Sequence, residues 1–472
     1  MNNLNFLVDV LKESPVFKTL EKNVKPGRTV CASGLSTINK SNIIYALCRL
    51  KGVTAFCLAS DEKEAQTLCN DLSCMGLRAY VYPVRDFNFL DFQSRSHEYE
   101  HARLKVLLKL INHECDVAIA CVDAAAQLTV PRNVLEQSVI EFEEGRELSL
   151  EKATKALTLL GYERFDAVEG SGQFSLRGGI LDFFMPDSDY PVRCEFWGDE
   201  ITDLSYFDIE TQRRFKKADK ITLSPSTEIV IEDRAALADK IEHKAKLLRS
   251  KNSAKAKEKL FSEAELIRSG AMIANADKFI NQIYDKPESL FDYLDRNTLV
   301  FASEFTAIQE RGKSMDFISN ETLMQGFEDG TLCRGFDRFA LTFNECTEFL
   351  QSHGTIVLEN FVHGSMPIKL SEIISFSTKQ LSAWGGSYKQ LKEDVDGLFT
   401  PESKGVIFAG TERAAKNLCD TFNADGINAV YSEGADKISK GELLVMQGAL
   451  SAGFEYPSQK FFAITYSQVS YR

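Results

Sequence analysis

The sequence lacks the cysteine pairs of a zinc knuckle and the nucleophile motif of a serine hydrolase. Its eleven cysteines include no C-x-x-C pair, and the closest spacing, Cys69 to Cys74, fits no common zinc knuckle. Its six histidines are dispersed, and no G-x-S-x-G motif occurs. The sequence therefore gives no support for a cysteine zinc knuckle or for a serine hydrolase triad.

Long apolar runs and a strong positive charge are absent as well. No stretch approaches 18 uninterrupted apolar residues, and the opening residues, MNNLNFLVDVLKESP, do not form a secretory signal. The net charge of −13 argues against a general nucleic-acid binder and favours protein partners. Free thiols with mostly apolar neighbours are typical of a reducing compartment. We expect a cytoplasmic protein with no membrane partner.

The chain contains enough apolar residues for several cores. Its 472 residues, of which 44% are hydrophobic and 26% charged, are globular in composition, and about 150 residues per domain predicts roughly three domains. Strand and helix alternate over residues 1–125, which predicts a parallel α/β sheet. Residues 126–222 change to one helix and several antiparallel strands, which predicts an inserted α+β domain. Residues 223–380, which begin with helices, are predicted to return to the first sheet, and residues 381–472 to form a small α/β domain.

Individual elements follow from the same patterns. Predicted helices are Phe6–Leu20, Lys40–Leu50, Glu62–Met75, His97–Asn112, Leu150–Leu160 and Glu412–Phe422. Predicted strands are Arg28–Ala32, Ala55–Ala59, Ala79–Tyr82, Val117–Cys121, Leu299–Ala302, Gly405–Ala409, Asn428–Tyr431, Glu442–Met446 and Lys460–Ile464.

The stretch from Gly172 to Arg214 has the clearest strand alternation. In its segment PVRCEFW, one face carries three apolar residues, namely Val192, Cys194 and Phe196. The opposite face carries a charged pair and a large aromatic, namely Arg193, Glu195 and Trp197. Aromatic residues and arginine anchor protein interfaces. The pattern therefore predicts a sheet with one core face and one docking face.

A second candidate site is the segment GLSTINKS, Gly34 to Ser41. It matches the phosphate-loop pattern G-x-x-x-x-G-K-[ST] except at the second glycine, where Asn39 stands before Lys40 and Ser41. A Cβ at that position disfavours the backbone conformations that turn N–H groups onto phosphates, so the cradle is weakened. Asparagine tolerates left-handed conformations better than most residues, so residual nucleotide binding stays open.

The magnesium half of such a site is degenerate too. The segment LVFASEF ends a predicted buried strand with Ser303, where an aspartate is expected, followed by Glu304. We therefore expect an ATPase fold kept as a scaffold, with no catalytic residue, and residual ATP hydrolysis is the alternative.

The segment from His97 to His101 reads HEYEH and satisfies the zinc-protease pattern H-E-x-x-H. On a helix its two histidines would share a face, with Glu98 as a general base. No third ligand follows, so we interpret the match as chance and expect no metal.

Several longer runs resemble a known family. RGGILDFF, PVRCEFWGDEI and FDIETQRR resemble the UvrA-binding domain shared by UvrB and the bacterial transcription-repair coupling factors. HEYEHARLKVLLKL, DVAIACVDAAAQL, LFDYLDRNTLVFASE and GELLVMQGALSAGFEYPSQKFFAIT resemble the coupling factors in particular. The resemblance implies a RecA-like domain, a degenerate P-loop NTPase, that is split by an inserted α+β UvrA-binding domain and followed by a small α/β domain.

The resemblance also implies a partner and its contacts. UvrA is the expected partner of this chain, contacted by Arg177, Arg193 and the aromatic two residues past Glu195, which is Trp197. RNA polymerase and double-stranded DNA are expected to bind through domains absent from this chain. ATP and magnesium are expected only in the absent translocase domains, so no cofactor is expected here. UvrB carries a long aromatic hairpin, for which the segment Val84–Ser96 leaves little room.

The leading hypothesis is thus a non-catalytic recruitment module, an N-terminal fragment of a coupling factor. It would bind UvrA and bring nucleotide excision repair to RNA polymerase stalled at DNA lesions. The alternative is an active UvrB-like ATPase or helicase that acts on damaged DNA.

Overall fold

The computed structural model describes residues 3–85, 97–137, 140–249, 253–270, 276–362 and 366–466. The helices are α1 Asn5–Lys12, α2 Pro15–Asn23, α3 Thr37–Lys51, α4 Glu62–Cys74, α5 Glu98–Ile111, α6 Val122–Ala126, α7 Arg132–Gln137, α8 Leu150–Leu159, α9 Arg234–Leu247, α10 Ser253–Arg268, α11 Ile280–Ile283, α12 Phe305–Asp329, α13 Phe343–His353, α14 Tyr388–Leu398 and α15 Glu412–Ala424. The strands are β1 Val30–Ser33, β2 Ala55–Ala59, β3 Ala79–Tyr82, β4 Val117–Cys121, β5 Ile140–Glu143, β6 Glu163–Arg164, β7 Gln173–Arg177, β8 Ile180–Phe183, β9 Val192–Trp197, β10 Glu200–Phe207, β11 Arg214–Lys217, β12 Lys220–Leu223, β13 Leu299–Ser303, β14 Thr355–Leu358, β15 Glu372–Ser375, β16 Lys379–Leu381, β17 Lys404–Phe408, β18 Ala429–Tyr431, β19 Glu442–Met446, β20 Gly453–Tyr456 and β21 Phe461–Thr465.

A seven-stranded sheet has the order β15-β1-β14-β13-β2-β4-β3, and all its strand pairs are parallel. It combines strands from two distant parts of the chain, because β13 pairs with β2 and β14 pairs with β1. The later strands β13 and β14 therefore lie in the same sheet as the early strands β1 and β2. Its strands are mostly buried apolar runs, as expected for a parallel sheet covered on both faces.

The amino-terminal helix is divided. Sequence periodicity predicted one helix over Phe6–Leu20, but α1 ends at Lys12 and α2 begins at Pro15. Proline cannot continue a helix but fits its first position, and the Ser14 hydroxyl caps α2 by accepting from the Phe17 N–H at 3.4 Å. The prediction of a single helix is wrong for this reason.

A second sheet of six strands has the order β11-β10-β9-β8-β7-β6. The predicted alternation is confirmed in β9, where Val192, Cys194 and Phe196 lie in one buried cluster with Leu157 of α8. Helix α8 therefore covers the core face of this sheet, and Arg193, Glu195 and Trp197 lie on the opposite face.

The third sheet has the order β16-β20-β21-β17-β19-β18 and contains the predicted carboxyl-terminal α/β series. It packs on the first unit, because Phe408 of β17 and Met446 of β19 share a buried cluster with Ile43 of α3. Among the residues that the structure describes, no helix is long and apolar enough to cross a membrane.

Candidate functional site

The outward face of the second sheet is organised around a buried carboxylate. Asp182 lies directly opposite Arg193 across β8 and β9. Its two oxygens accept from Nε and Nη2 of Arg193 at 2.7 and 2.8 Å, and Nη2 of Arg177 reaches it at 2.9 Å. The Asp182 side chain is 1% exposed and that of Arg193 is 12% exposed. Bidentate pairing of this kind fixes both the charge and the orientation of the guanidinium.

Arg193 is held on its other sides as well. Its guanidinium carbon lies 4.3 Å from the ring centre of Phe207, and it donates to Gln212 through two further bonds. The hydrogen bonds to Asp182 raise the pKa of Arg193. The ion pair is thus made with Asp182 on the neighbouring strand and not with Glu195, and most of the Arg193 donor capacity is used inside the domain.

Arg177 and Trp197 present free surface at one end of the same face. Each is the last residue of its strand, before the turns at Gly178 and Gly198, which both adopt positive φ. The two turns are adjacent, since the Phe196 N–H donates to the Gly179 carbonyl at 2.8 Å. Trp197 is 83% exposed and the Arg177 side chain is 51% exposed. A large exposed aromatic and an exposed guanidinium at the same end of one sheet face are residue types typical of interface anchors.

The remaining charges of this face are paired with each other. Arg214 contacts the carboxylates of Glu195 and Asp203, and Lys217 lies 3.4 Å from Asp203. Exposed pairs of this kind contribute little to stability. They give this part of the face an alternating charge pattern next to Glu195, two residues before Trp197.

The degenerate phosphate loop is shorter than the sequence pattern suggests. Helix α3 begins at Thr37 rather than at the predicted Lys40, so Asn39, Lys40 and Ser41 lie in its first turns. The preceding N–H groups are engaged, because Gly34 donates to the Asn360 carbonyl and Leu35 to the Glu359 carbonyl, both at 3.1 Å. The N–H groups of Gly34 and Leu35 therefore donate to backbone carbonyls rather than pointing to a phosphate position.

The Lys40 side chain points into the protein, where two carboxylates balance its charge. Its Nζ lies 2.6 Å from Oε1 of Glu304, 2.8 Å from Oγ of Ser303 and 3.2 Å from Oε1 of Glu64. The Lys40 side chain is 2% exposed. The structure brings Lys40, Ser303 and Glu304 together in one internal network, in which the lysine that would meet a phosphate already has two carboxylate partners, Glu304 and Glu64.

The acidic members of this network differ in proton affinity. Burial opposes ionisation of Glu64, but the Lys40 charge and bonds from Ser303 and Ser60 outweigh it and lower the pKa of Glu64. Burial raises the pKa of Glu359 to about 7, against the Phe305 N–H bond and with a further contribution from the Glu304 charge. Sequence analysis missed Glu64 and Glu359, since each comes from a segment remote from the loop.

Asn39 contacts the third sheet directly, and Ser41 is linked through Asp71 to the loop that follows β19. The Tyr456 hydroxyl of β20 accepts from Asn39 Nδ2 at 3.3 Å and from Asn42 Nδ2 at 3.0 Å. Asp71 of α4 accepts from the Ser451 N–H at 2.7 Å and from its hydroxyl at 2.6 Å, and Ser41 Oγ lies 3.3 Å from the same carboxylate.

Burial raises the pKa of Asp71 to about 6, although the bonds from Ser451 and Ser41 oppose the rise. Asn39, which stands where the phosphate-loop pattern has its second glycine, takes part in the contact between the two α/β units through its bond to Tyr456.

The H-E-x-x-H segment places its histidine rings 5.9 Å apart between centroids. His97 Nδ1 lies 3.0 Å from Oε2 of Glu100, at the start of α5. Within the described residues, no group of three or more histidine, cysteine, aspartate or glutamate side chains is arranged to hold a metal ion. The segment 86–96, which carries most of the predicted short connection in place of a hairpin, lies outside the described residues.

Comparison with known proteins identifies the class of domain to which the second sheet belongs. Residues 140–229, which include β5 to β12, match the model of the UvrB interaction domain. This range contains all four residues proposed for the docking face, namely Arg177, Arg193, Glu195 and Trp197.

Curated relatives extend the likeness to most of the chain. A transcription-repair-coupling factor of Bacillus subtilis (strain 168) is 26% identical over 469 residues, which cover 96% of this chain and 39% of the relative. Those of Staphylococcus epidermidis (strain RP62A) and Staphylococcus haemolyticus are 25% and 24% identical, each over 82% of this chain and 33% of the relative.

The resemblance inferred from the sequence is thereby confirmed. The chain contains a UvrB interaction domain and is similar to transcription-repair coupling factors over most of its length. It spans between 33% and 39% of the length of these relatives.

Proposed function

We propose that this chain is the recruitment module of a transcription-repair coupling factor and binds UvrA through its UvrB interaction domain. The observation that carries the proposal is Trp197, a large aromatic that is 83% exposed on the outward face of that domain. Folding gains nothing from this exposure, whereas burial of such a ring against a partner is the usual origin of a binding hot spot.

Within this proposal the four docking residues have different roles. Trp197 and Arg177 make direct contact with UvrA, since both are exposed at the same end of the sheet. Arg193 acts as a positioning residue, because its guanidinium holds Asp182, which in turn orients Arg177. Glu195, paired with Arg214, belongs to the polar rim, where charges govern the association rate and the choice of partner more than affinity.

The rest of the chain is proposed to be a non-catalytic scaffold. Residues 1–125 and 223–380 form a RecA-like domain, residues 126–222 form the UvrA-binding insertion and residues 381–472 form a small α/β domain. The contacts of Lys40 with Glu304 and Glu64, and of Asn39 with Tyr456, support the absence of ATP turnover, since a nucleotide would have to displace both.

The wider role follows from the relatives' name. In this proposal, UvrA bound here brings nucleotide excision repair to RNA polymerase stalled at a DNA lesion. Contact with RNA polymerase and double-stranded DNA, together with the ATP and magnesium of a translocase, is assigned to the part of the relatives that this chain does not match.

Titration of purified UvrA against the chain tests the proposal. A saturable complex is expected, and its absence would refute the recruitment role. Magnesium-dependent ATP turnover that Lys40→Ala abolishes would support the alternative, an active UvrB-like ATPase.

A further inference from the structure

A cavity of about 300 Å³ opens at the edge of the first sheet opposite to the degenerate phosphate loop. It lies where parallel strands begin, since its walls include Leu299 at the start of β13, Ile356 in β14 and Val53 just before β2. This cavity belongs to neither of the sites described above.

Cations surround this cavity. Its lining includes Lys25, Arg28, Lys51 and Arg296, and none of the described residues that line it is acidic. Such a local excess is unexpected in a chain with a net charge of −13. Four converging cations, of which only Arg28 has a carboxylate partner among the described residues, raise the local potential and attract anions.

Three of these cations have no side-chain partner among the described residues. Lys25, Lys51 and Arg296 are exposed, and in the described part of the chain they take part in no side-chain hydrogen bond or ion pair. Arg28 makes one long ion pair, 3.5 Å from Glu372.

Helix ends explain this cluster only in part. Lys51 is the last residue of α3, where a cation complements the helix dipole. Lys25 directly follows the C-cap of α2 and gains in the same way, but Arg28 and Arg296 lie away from the helix ends, so that explanation does not extend to them.

The walls of the cavity indicate which other chemical groups an anionic ligand would carry. Val24, Pro26, Val53 and Leu299 give an apolar lining. The exposed amide of Asn297, without a hydrogen-bond partner among the described residues, offers a donor and an acceptor at the same place. Thr298 is fixed through its carbonyl, 2.8 Å from His353 Nε2.

We propose that this cavity binds a nucleotide, with its phosphates on the lysine and arginine side chains and its base or sugar against the apolar wall. The volume suits one nucleotide unit rather than a folded polypeptide segment. An amide is the group that reads a base edge. The nucleotide is presented either as a free molecule or as part of a single nucleic-acid strand, since both carry the same chemistry.

The test uses the full chain and two probes, a fluorescent ATP analogue and a fluorescein-labelled oligothymidine, in fluorescence polarisation. The double variant Lys51→Ala/Arg296→Ala is expected to bind at least one probe about tenfold more weakly than the parent. The control Lys63→Ala/Lys389→Ala removes the same charge from exposed lysines of α4 and α14, outside the cavity lining, and is expected to bind like the parent.

The two probes distinguish the sources. Binding of ATP alone assigns the site to a free nucleotide, and binding of the oligothymidine assigns it to a strand. For the strand, four phosphate contacts predict a loss of up to about fifty-fold in affinity between 50 and 200 mM salt.

Four outcomes would overturn the proposal. They are no binding of either probe, equal weakening by the two double variants, unchanged binding by Lys51→Ala/Arg296→Ala, and displacement by inorganic phosphate or polyglutamate as effective as by unlabelled nucleotide. UvrA binding by the cavity variant stays intact in either case, which separates this result from the proposed function.

Discussion

Lys40 and Glu304 form an ion pair inside the protein, with Nζ of the lysine 2.6 Å from Oε1 of the carboxylate. In a working phosphate loop the lysine would extend to the nucleotide. Here the lysine contacts Glu304, the residue that follows β13. In this arrangement the lysine of the motif balances carboxylate charge inside the protein.

Removal of this lysine is expected to destabilise the chain. Lys40→Met leaves Glu64 and Glu304 without a cation, and loss of one partner of a buried pair costs about 3 kcal/mol in free energy of unfolding. Urea unfolding measures this loss of free energy, and Lys63→Met, at an exposed lysine, serves as the control. A Lys40→Met chain as stable as the control would show that the network contributes nothing.

Restoring the glycine is not expected to restore an ATPase. Asn39→Gly removes the bonds to Ser36 and Tyr456 but leaves Lys40 on its carboxylates, so ATP turnover with magnesium should stay at background. The same variant should weaken the contact between the first and third sheets and lower the free energy of unfolding by about 1–2 kcal/mol. Turnover that appears in Asn39→Gly would mean that the missing glycine alone inactivates the loop.

Glu359 makes stability depend on pH. Burial raises its folded pKa to about 7 from an ordinary 4.5, so the folded state binds the proton more tightly than the unfolded state. The contribution of Glu359 to the free energy of unfolding is therefore highest below pH 4.5. It falls as the pH rises towards 7 and levels off above pH 7. The groups acting on Glu359 are Glu304 and Lys40.

Glu359→Gln should reduce this fall, because the amide carries no charge. Urea unfolding at pH 5 and pH 8 is expected to show a smaller difference for Glu359→Gln than for the parent, by about 2 kcal/mol. The exposed Glu393→Gln serves as the control. An identical pH difference in all three chains would contradict a raised pKa.

The sequence allowed some of these features to be predicted and not others. Alternation in β9 identified the two faces correctly, because a period of two needs only local sequence. The partner of Arg193 was missed, since Asp182 comes beside it only through the register of β8 and β9. Tyr456 was missed for a similar reason, because it lies 417 residues after Asn39 and meets it only when two sheets pack together.

Arg193 is expected to contribute to the stability of the domain through its pair with Asp182. Arg193→Ala leaves the buried Asp182 with Arg177 alone, so the free energy of unfolding should fall by about 3 kcal/mol. The double variant Asp182→Ala/Arg193→Ala should lose less than the sum of the two single variants, because the unpaired charge is gone. Additive losses in thermal or urea unfolding would show that the two side chains are not coupled.

The most direct test is the affinity of UvrA for Trp197→Ala, measured by titration beside the parent and a matched control. The control is Leu159→Ala, an exposed apolar residue on α8, which covers the other face of the sheet. Trp197→Ala is expected to lower affinity by about 2 kcal/mol, or thirtyfold, with an unchanged free energy of unfolding, whereas Leu159→Ala should bind like the parent. Equal UvrA affinity for the parent and both variants would contradict docking through this face.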